Sequence, residues 1–171
     1  MLKWLLLALT ICWCVGLYNR LMRLRARALD ALGSVEKNLR SYTSLVDGQF
    51  PQEEGSYIPL DWAGLVAAVK QLDGQCRATR QVPLQAAPLA SLAQTMEAIE
   101  REWNLLCAQP ADLAGPPMPE ATQKAMDQAQ RKVRTARGGF NQIVALYNQA
   151  LHQFPARVVV GLMGFTPAGY L

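Results

Sequence analysis

The first twenty residues constrain the fold and location of this chain more than any other stretch. All but two of the positions from Leu2 to Tyr18 are apolar. A membrane-spanning helix needs roughly 20 such residues, and further apolar residues up to Met22 can supply that length. A secretory signal peptide has a similar apolar core, but the bulky Tyr18 and Asn19 stand where a small-residue cleavage site would be expected. We therefore predict an uncleaved transmembrane anchor over residues 1–22.

Four arginines follow the apolar run and form what we call the arginine collar: Arg20, Arg23, Arg25 and Arg27. A basic cluster at the boundary of an apolar run usually contacts anionic lipid and orients the protein in the membrane. The other side of the run carries only the terminal amine and Lys3. The positive-inside rule therefore predicts an N-terminus outside and a cytoplasmic body. Nucleic-acid binding is not expected, because no basic stripe with aromatic residues recurs later in the chain.

Beyond the anchor, apolar residues recur three and four positions apart in four stretches, which predicts four amphipathic helices. The expected buried stripes are Leu21, Leu24, Ala28, Leu32, Val35, Leu39, Tyr42 and Val46; Trp62, Leu65, Val69, Leu72 and Cys76; Leu89, Leu92, Met96, Ile99, Trp103 and Leu106; and Met126, Ala129, Val133, Ala136, Phe140, Val144, Tyr147, Leu151 and Phe154. Loops containing proline or glycine separate them at Asp47–Ser56, Gln81–Pro88 and Gln109–Pro119. The predicted fold class is all-α: an N-terminal transmembrane helix continuous with an up-down antiparallel four-helix bundle over residues 19–155.

Up-down order predicts which ends of the helices lie together. The first and third loops should lie at the tip far from the anchor, whereas the loop Gln81–Pro88 and the C-terminus should lie beside the anchor. The tail over residues 156–171 is too apolar for a solvated end and too short to span a membrane. Two arrangements remain open. The tail caps the bundle end or dips into the membrane interface, or it folds against the hydrophobic seam of the bundle.

Residues that carry chemistry are scarce in this chain. The cysteines show no CxxC spacing and His152 is the only histidine, so neither a zinc site nor another metal centre is expected. The sequence contains no glycine-rich phosphate loop and no local signature of a nucleophile. The glutamates Glu97, Glu100 and Glu102 lack the Glu-x-x-His pairs of diiron bundles. We therefore expect no enzyme activity, no catalytic residue, no cofactor and no small-molecule substrate.

The last predicted helix and the tail carry the most specific pattern in the chain. Its residues are Arg137, Phe140, Asn141, Tyr147, Asn148, Phe154, Pro155, Gly161, Phe165, Pro167 and Tyr170. The start of the chain adds Tyr18 and Asn19, followed by Leu21, Leu24 and Arg25. Together these two ends resemble the LemA family of bacterial membrane proteins. The middle departs from the family, because the end of the first helix, Leu39–Val46, lacks the proline that LemA-like proteins usually carry there.

The spacing of the motif residues predicts a structural role for them. Three aromatic residues seven positions apart are expected to form one core column: Phe140, Tyr147 and Phe154. Asn141 and Asn148, also seven apart, are expected to pair with neighbouring backbone or side chains and to fix the register of the helix. In the predicted topology Tyr18–Asn19 and Tyr147–Asn148 both fall at the anchor end, and we expect them to meet there.

The resemblance implies a single-pass protein of the bacterial cytoplasmic (inner) membrane with a helical bundle, in a family whose function is poorly defined. One branch of the family is associated with magnetosome membranes. Our main hypothesis is a non-enzymatic scaffold or adaptor, with the lipid bilayer and unidentified membrane proteins as partners. The alternative is a protein that shapes or stabilises the membrane, as in that branch. The lack of an extended amphipathic basic helix favours the scaffold.

Overall fold

The structure, a computed structural model, describes residues 2–49, 58–109, 119–153 and 164–171. Within these ranges the chain forms four helices: α1 (Leu2–Gln49), α2 (Leu60–Gln81), α3 (Ala86–Cys107) and α4 (Glu120–His152). No strand occurs among the described residues. The prediction of an all-α fold, in which a long apolar N-terminal helix leads into a helical bundle, is confirmed.

Helix boundaries differ from the sequence prediction for local reasons. α1 continues to Gln49, into the predicted loop, because Asp and Gly weaken a helix without breaking it as proline does. α3 begins at Ala86, before Pro88, because a proline in the first turn lacks only an N–H that would have no helical partner there.

At the other end of the chain, three motif residues lie outside the described ranges: Phe154, Pro155 and Gly161.

Helix pairing follows the up-down order. The Gln49 side chain donates a hydrogen bond to the Thr122 hydroxyl (2.9 Å) and so joins the end of α1 to the start of α4. α1 packs closely along α4 and α2 along α3, whereas α1 and α2 touch less. The looser contact leaves a cleft of about 440 Å³ between α1 and α2, and an ion pair between Arg80 and Glu36 (2.6 Å) crosses it.

The core of the bundle consists of the four predicted stripes. Every stripe residue that the structure describes is buried, except Leu24 and Ala136, which are half-buried. α4 runs unbroken through Gly138 and Gly139, so Phe140 and the motif residues after it stay on one continuous face. Each fully buried large apolar side chain stabilises the fold by about 1.5–3 kcal/mol. The stripes therefore hold the four helices in place and position the polar motif residues between them.

The first part of α1 does not belong to this core. Residues 3–18, which we call the apolar segment, are exposed apart from partial burial at Cys14 and Leu17. Tyr18 is still 42% exposed, whereas Leu21 is completely buried, so α1 passes from an exposed to a buried environment within about one turn. Among the described residues, α1 is the one helix long and apolar enough to cross a membrane.

Candidate functional site at the collar end of the bundle

Most of the motif residues that the structure describes gather at one end of the bundle, next to the apolar segment. We call this the collar end; it contains the arginine collar, the α2–α3 connection, the last turns of α4 and residues 164–171. The tail residues 164–171 lie along α4 in the direction opposite to the helix, since Tyr147 contacts residue 166 and Asn141 contacts residue 171. Of the two arrangements left open for the tail, its described part folds against the bundle.

Two asparagines of α4 hold the tail by pairing with its backbone. The Asn148 amide donates to the carbonyl of Ala168 (2.9 Å) and accepts from the N–H of the same residue (2.8 Å). The Asn141 amide makes the same two hydrogen bonds with Leu171 (2.8 and 3.0 Å). Each side-chain amide therefore provides hydrogen-bond partners for both the N–H and the carbonyl of one tail residue, as a neighbouring β-strand would.

The spacing of these pairs follows from the geometry of the two segments. Seven residues of α-helix, from Asn141 to Asn148, advance about 10.5 Å. Three residues of extended chain, from Ala168 to Leu171, advance about 10 Å. The two rises match, so both asparagines reach a buried tail residue at once. The prediction that the asparagines pair with backbone corresponds to this arrangement, but the partners lie 20 and 30 positions further along the chain.

Two tyrosines bind the part of the tail nearest the apolar segment. The Tyr147 hydroxyl donates to the carbonyl of Thr166 (3.1 Å). Burial raises the pKa of this phenol, and the nearby positive charge of Arg25 opposes the shift. The Tyr18 ring packs against Phe165, with ring centroids 5.8 Å apart and planes tilted by 59°. Tyr18 and Tyr147 thus contact adjacent residues of the tail, and both line one cleft of about 280 Å³. The two motif tyrosines therefore lie at the same end of the bundle.

The α2–α3 connection closes the other side of the tail. The N–H of Gly169 donates to the carbonyl of Leu84 (2.9 Å). A Cβ atom at position 169 would lie 2.5 Å from the Cα of Ala86, so the backbones approach too closely for any side chain. Leu84 itself has a φ of 69°, a left-handed conformation that a leucine rarely adopts. The tail is therefore wedged between α4 and the connection.

The arginine collar divides between two faces of α1. Arg20, Arg23 and Arg27 line a groove of about 270 Å³ between α1 and α4, together with Leu146 and Gln149 of α4 and Gln153 directly after it. Arg25 instead lines the tyrosine cleft. The spacing explains the division, because residues three and four apart share a helix face whereas residues two apart do not. All four arginines are exposed.

The remaining motif residues have separate places. Phe140 is completely buried, and Arg137 forms an exposed ion pair with Glu97 of α3 (3.5 Å). The backbone carbonyl of Asn19 accepts a hydrogen bond from Arg23 (3.3 Å). Pro167 is exposed, and Tyr170, half-exposed, has its hydroxyl 3.5 Å from the Asn148 amide.

Sequence reasoning missed three residues of this site: Leu84, Ala86 and Gly169. The backbone of each, rather than its side chain, makes the contact, and backbone contacts have no periodic signature. A glycine inside an apolar tail was the one available signal. In the part of the chain that the structure describes, no three His, Cys, Asp or Glu side chains lie close enough to hold a metal ion.

A long exposed apolar helix that enters a four-helix bundle, with a C-terminal segment bound along the last helix, defines the class of this protein. The model of the LemA family matches residues 83–171, slightly more than half of the chain and all of the tail-binding contacts of α4 and the α2–α3 connection. The chain belongs to the LemA family. Comparisons with curated proteins and with solved structures give no match.

Proposed function

We propose that this protein is a single-pass protein of the bacterial cytoplasmic membrane, whose bundle acts as a non-enzymatic scaffold or adaptor for other membrane proteins. The continuity of α1 is the observation that carries this proposal. One helix holds both the exposed apolar segment and, from Leu21, the buried stripe of the bundle. A bundle attached in this way presents its far surfaces at a fixed distance from the bilayer.

The exposure of the apolar segment supports membrane insertion. Trp4, Leu5 and Leu9 are 64–75% exposed, and even Trp13, in the middle of the segment, is 40% exposed. Exposed apolar surface costs about 25 cal/mol per Å² in water, and insertion into a bilayer removes that cost. The exposed aromatics Trp4 and Tyr18 stand toward the two ends of the segment, where interfacial aromatics are favoured.

A thiol-labelling experiment tests the orientation. Cys107 is exposed at the far end of the bundle, whereas Cys76 is buried and burial raises the pKa of its thiol to about 11, which suppresses its reaction. With a cytoplasmic body, a membrane-impermeant maleimide should label Cys107 only after the cells are lysed. A Lys3→Cys variant is the matched control and should react in intact cells. Labelling of Cys107 before lysis would reverse the orientation.

The tip of the bundle offers the most direct test of a scaffold. Leu60 at the start of α2 and Leu105 near the end of α3 are 86% and 58% exposed. They lie at the same end of the bundle, because Gly64 and Glu102 adjoin across the α2–α3 pair. Photo-crosslinkers at both positions should capture the same membrane protein in native membranes. The exposed position Lys132 on α4 serves as the control and should not capture it.

A membrane-shaping function is the second candidate, and the arginine collar favours it. Four exposed cationic side chains beside an apolar helix attract anionic headgroups by about 1 kcal/mol each. Reconstitution of the full chain into anionic vesicles separates the candidates. Deformation of these vesicles without another protein would favour shaping, whereas unchanged vesicles together with a discrete crosslink at the tip would favour the scaffold.

A further inference from the structure

The three arginines that share the groove between α1 and α4 have no acidic partner in the part of the chain that the structure describes. Among the described residues, Arg20, Arg23 and Arg27 form no ion pair, although arginines elsewhere on α2 and α4 do. The C-terminal end of α4, directly before Gln153 in the same groove, adds roughly −0.5 elementary charge from its carbonyl groups. That partial charge offsets only a small part of three guanidinium charges. The groove therefore stays strongly positive and suits an anion.

We propose that this groove binds the headgroup phosphate of an anionic phospholipid, with the acyl chains lying beside the apolar segment. The proposal rests on the membrane insertion proposed above, and it adds a defined binding site to the general attraction of a basic collar. It assigns the lipid to Arg20, Arg23 and Arg27 on the α1–α4 face. It excludes Arg25, which lines the tyrosine cleft.

The level of the groove along α1 fits a lipid headgroup. A helix from Leu2 to Met22 is about 31 Å long, close to the roughly 30 Å thickness of the hydrocarbon core. Along the helix axis Arg20 lies about 3 Å before Met22 and Arg27 about 7 Å beyond it, whereas each headgroup layer is about 5–7 Å thick. The three guanidinium groups are therefore attached to α1 at the depth in the membrane where the lipid phosphates lie.

The chemistry of the groove wall also fits an amphipathic ligand. Gln149 and Gln153 are exposed, and their side-chain amides can donate hydrogen bonds to phosphate oxygens. Leu146, 55% exposed, adds an apolar surface on the same wall. A guanidinium group can donate two parallel hydrogen bonds to phosphate oxygens. No carboxylate among the described residues that line the groove competes for these donors. An acidic peptide would use the same charges, but it would gain nothing from the neighbouring apolar segment.

Lipid retention by the full chain tests the proposal. The protein is purified in a neutral detergent, stripped of lipid and titrated with phosphatidylglycerol or phosphatidylcholine, and the bound lipid is counted by native mass spectrometry. We expect phosphatidylglycerol to be preferred about a hundredfold, since each of the three arginines contributes a factor of roughly five near a headgroup. The triple variant Arg20→Gln, Arg23→Gln, Arg27→Gln should lower the preference to about twofold or less.

Two matched controls separate a site from general charge. The triple variant Arg25→Gln, Arg101→Gln, Arg131→Gln also removes three positive charges, but from exposed positions outside the groove. It should keep the full preference for phosphatidylglycerol. Leu146→Glu places a carboxylate in the groove and should abolish the preference. Leu105→Glu, at a position of similar exposure on α3 (58% against 55%), should leave it unchanged.

The outcomes distinguish this inference from the proposed function. Absence of any preference in the parent protein, or equal losses in the two triple variants, would overturn the site. Equally tight binding of soluble glycerol phosphate would overturn a lipid ligand in favour of a free phosphate. Resistance of the full chain to carbonate extraction is measured in parallel. If the chain resists extraction but shows no lipid preference, the site fails alone; if carbonate releases it, the membrane anchoring fails as well.

Discussion

Two faces of α4 hold their neighbours by different chemistry. Toward α3, Arg134 pairs with Glu100 (3.2 Å) and Arg137 with Glu97 (3.5 Å), in ion pairs whose members keep 30–62% of their side-chain surface exposed. Toward the tail, Asn141 and Asn148 each make two hydrogen bonds of 2.8–3.0 Å with buried backbone. Both faces belong to one helix. They differ in the groups that they contact: exposed charged side chains on one face and buried backbone N–H and carbonyl groups on the other.

Energetics favour the tail face as the more consequential one. An exposed ion pair contributes about 0.2–1 kcal/mol, because solvent and salt screen it. A buried backbone group that loses its partner costs about 1–3 kcal/mol. Ala168 and Leu171 are buried, and within the described part of the chain their backbone groups find their hydrogen-bond partners in the two asparagines. The tail therefore stays bound through specific contacts, whereas the ion pairs adjust the packing of α3 and α4.

The largest effect is expected for Asn148→Ala. This change leaves the N–H and the carbonyl of buried Ala168 without protein partners and should weaken tail binding by about 2–3 kcal/mol. Hydrogen exchange of residues 164–171 in the detergent-solubilised full chain should accelerate by about thirtyfold or more. Gln142→Ala, an exposed change on the same helix, should leave the exchange unaltered. If both variants exchange alike, the asparagine contacts do not hold the tail.

Gly169→Ala should have the next largest effect. The added methyl would lie 2.5 Å from the Cα of Ala86, and backbone must shift to admit it, at a cost of about 1–3 kcal/mol. The tail amides should again exchange faster. Gly138→Ala is the control with the opposite sign: a Cβ there meets nothing within 4 Å, so urea unfolding should show a gain of up to about 1 kcal/mol. A Gly169→Ala variant as protected as the parent would refute the close approach.

Tyr147→Phe should have a smaller effect. The change removes one hydrogen bond, from the Tyr147 hydroxyl to the Thr166 carbonyl. Because Thr166 is exposed, water can replace the lost donor, so we expect a loss of about 1 kcal/mol in tail binding. Tyr170→Phe removes only a 3.5 Å contact with Asn148 and should change exchange less than Tyr147→Phe. The reverse order would show that Tyr170 binds the tail more strongly than Tyr147.

Sequence reasoning predicted the helices of this fold better than the contacts of its tail. The stripes from Leu21 to Leu151 were identified because burial on a helix imposes a period of three and four residues. The asparagines were identified as candidates by their spacing and by the family pattern. Their partners were not, because a side-chain amide can pair with any backbone residue that the fold brings near. The contact of Gly169 with Leu84 joins two irregular segments, for which no periodicity exists.

The smallest effect is expected on the ion-pair face, and its salt dependence is the sharpest contrast with the tail face. Arg134→Gln should lower the free energy of unfolding by about 0.5 kcal/mol at low ionic strength. In 1 M salt the Debye length falls to about 3 Å, comparable with the 3.2 Å separation of Arg134 and Glu100, so the difference from the parent should fall to roughly a third. Asn148→Ala should keep its full effect in the same salt, because the contacts it removes are neutral hydrogen bonds. Urea titrations and hydrogen exchange at both salt concentrations measure the two responses, and a salt-sensitive asparagine effect would mean that the tail is held by charge rather than by its backbone.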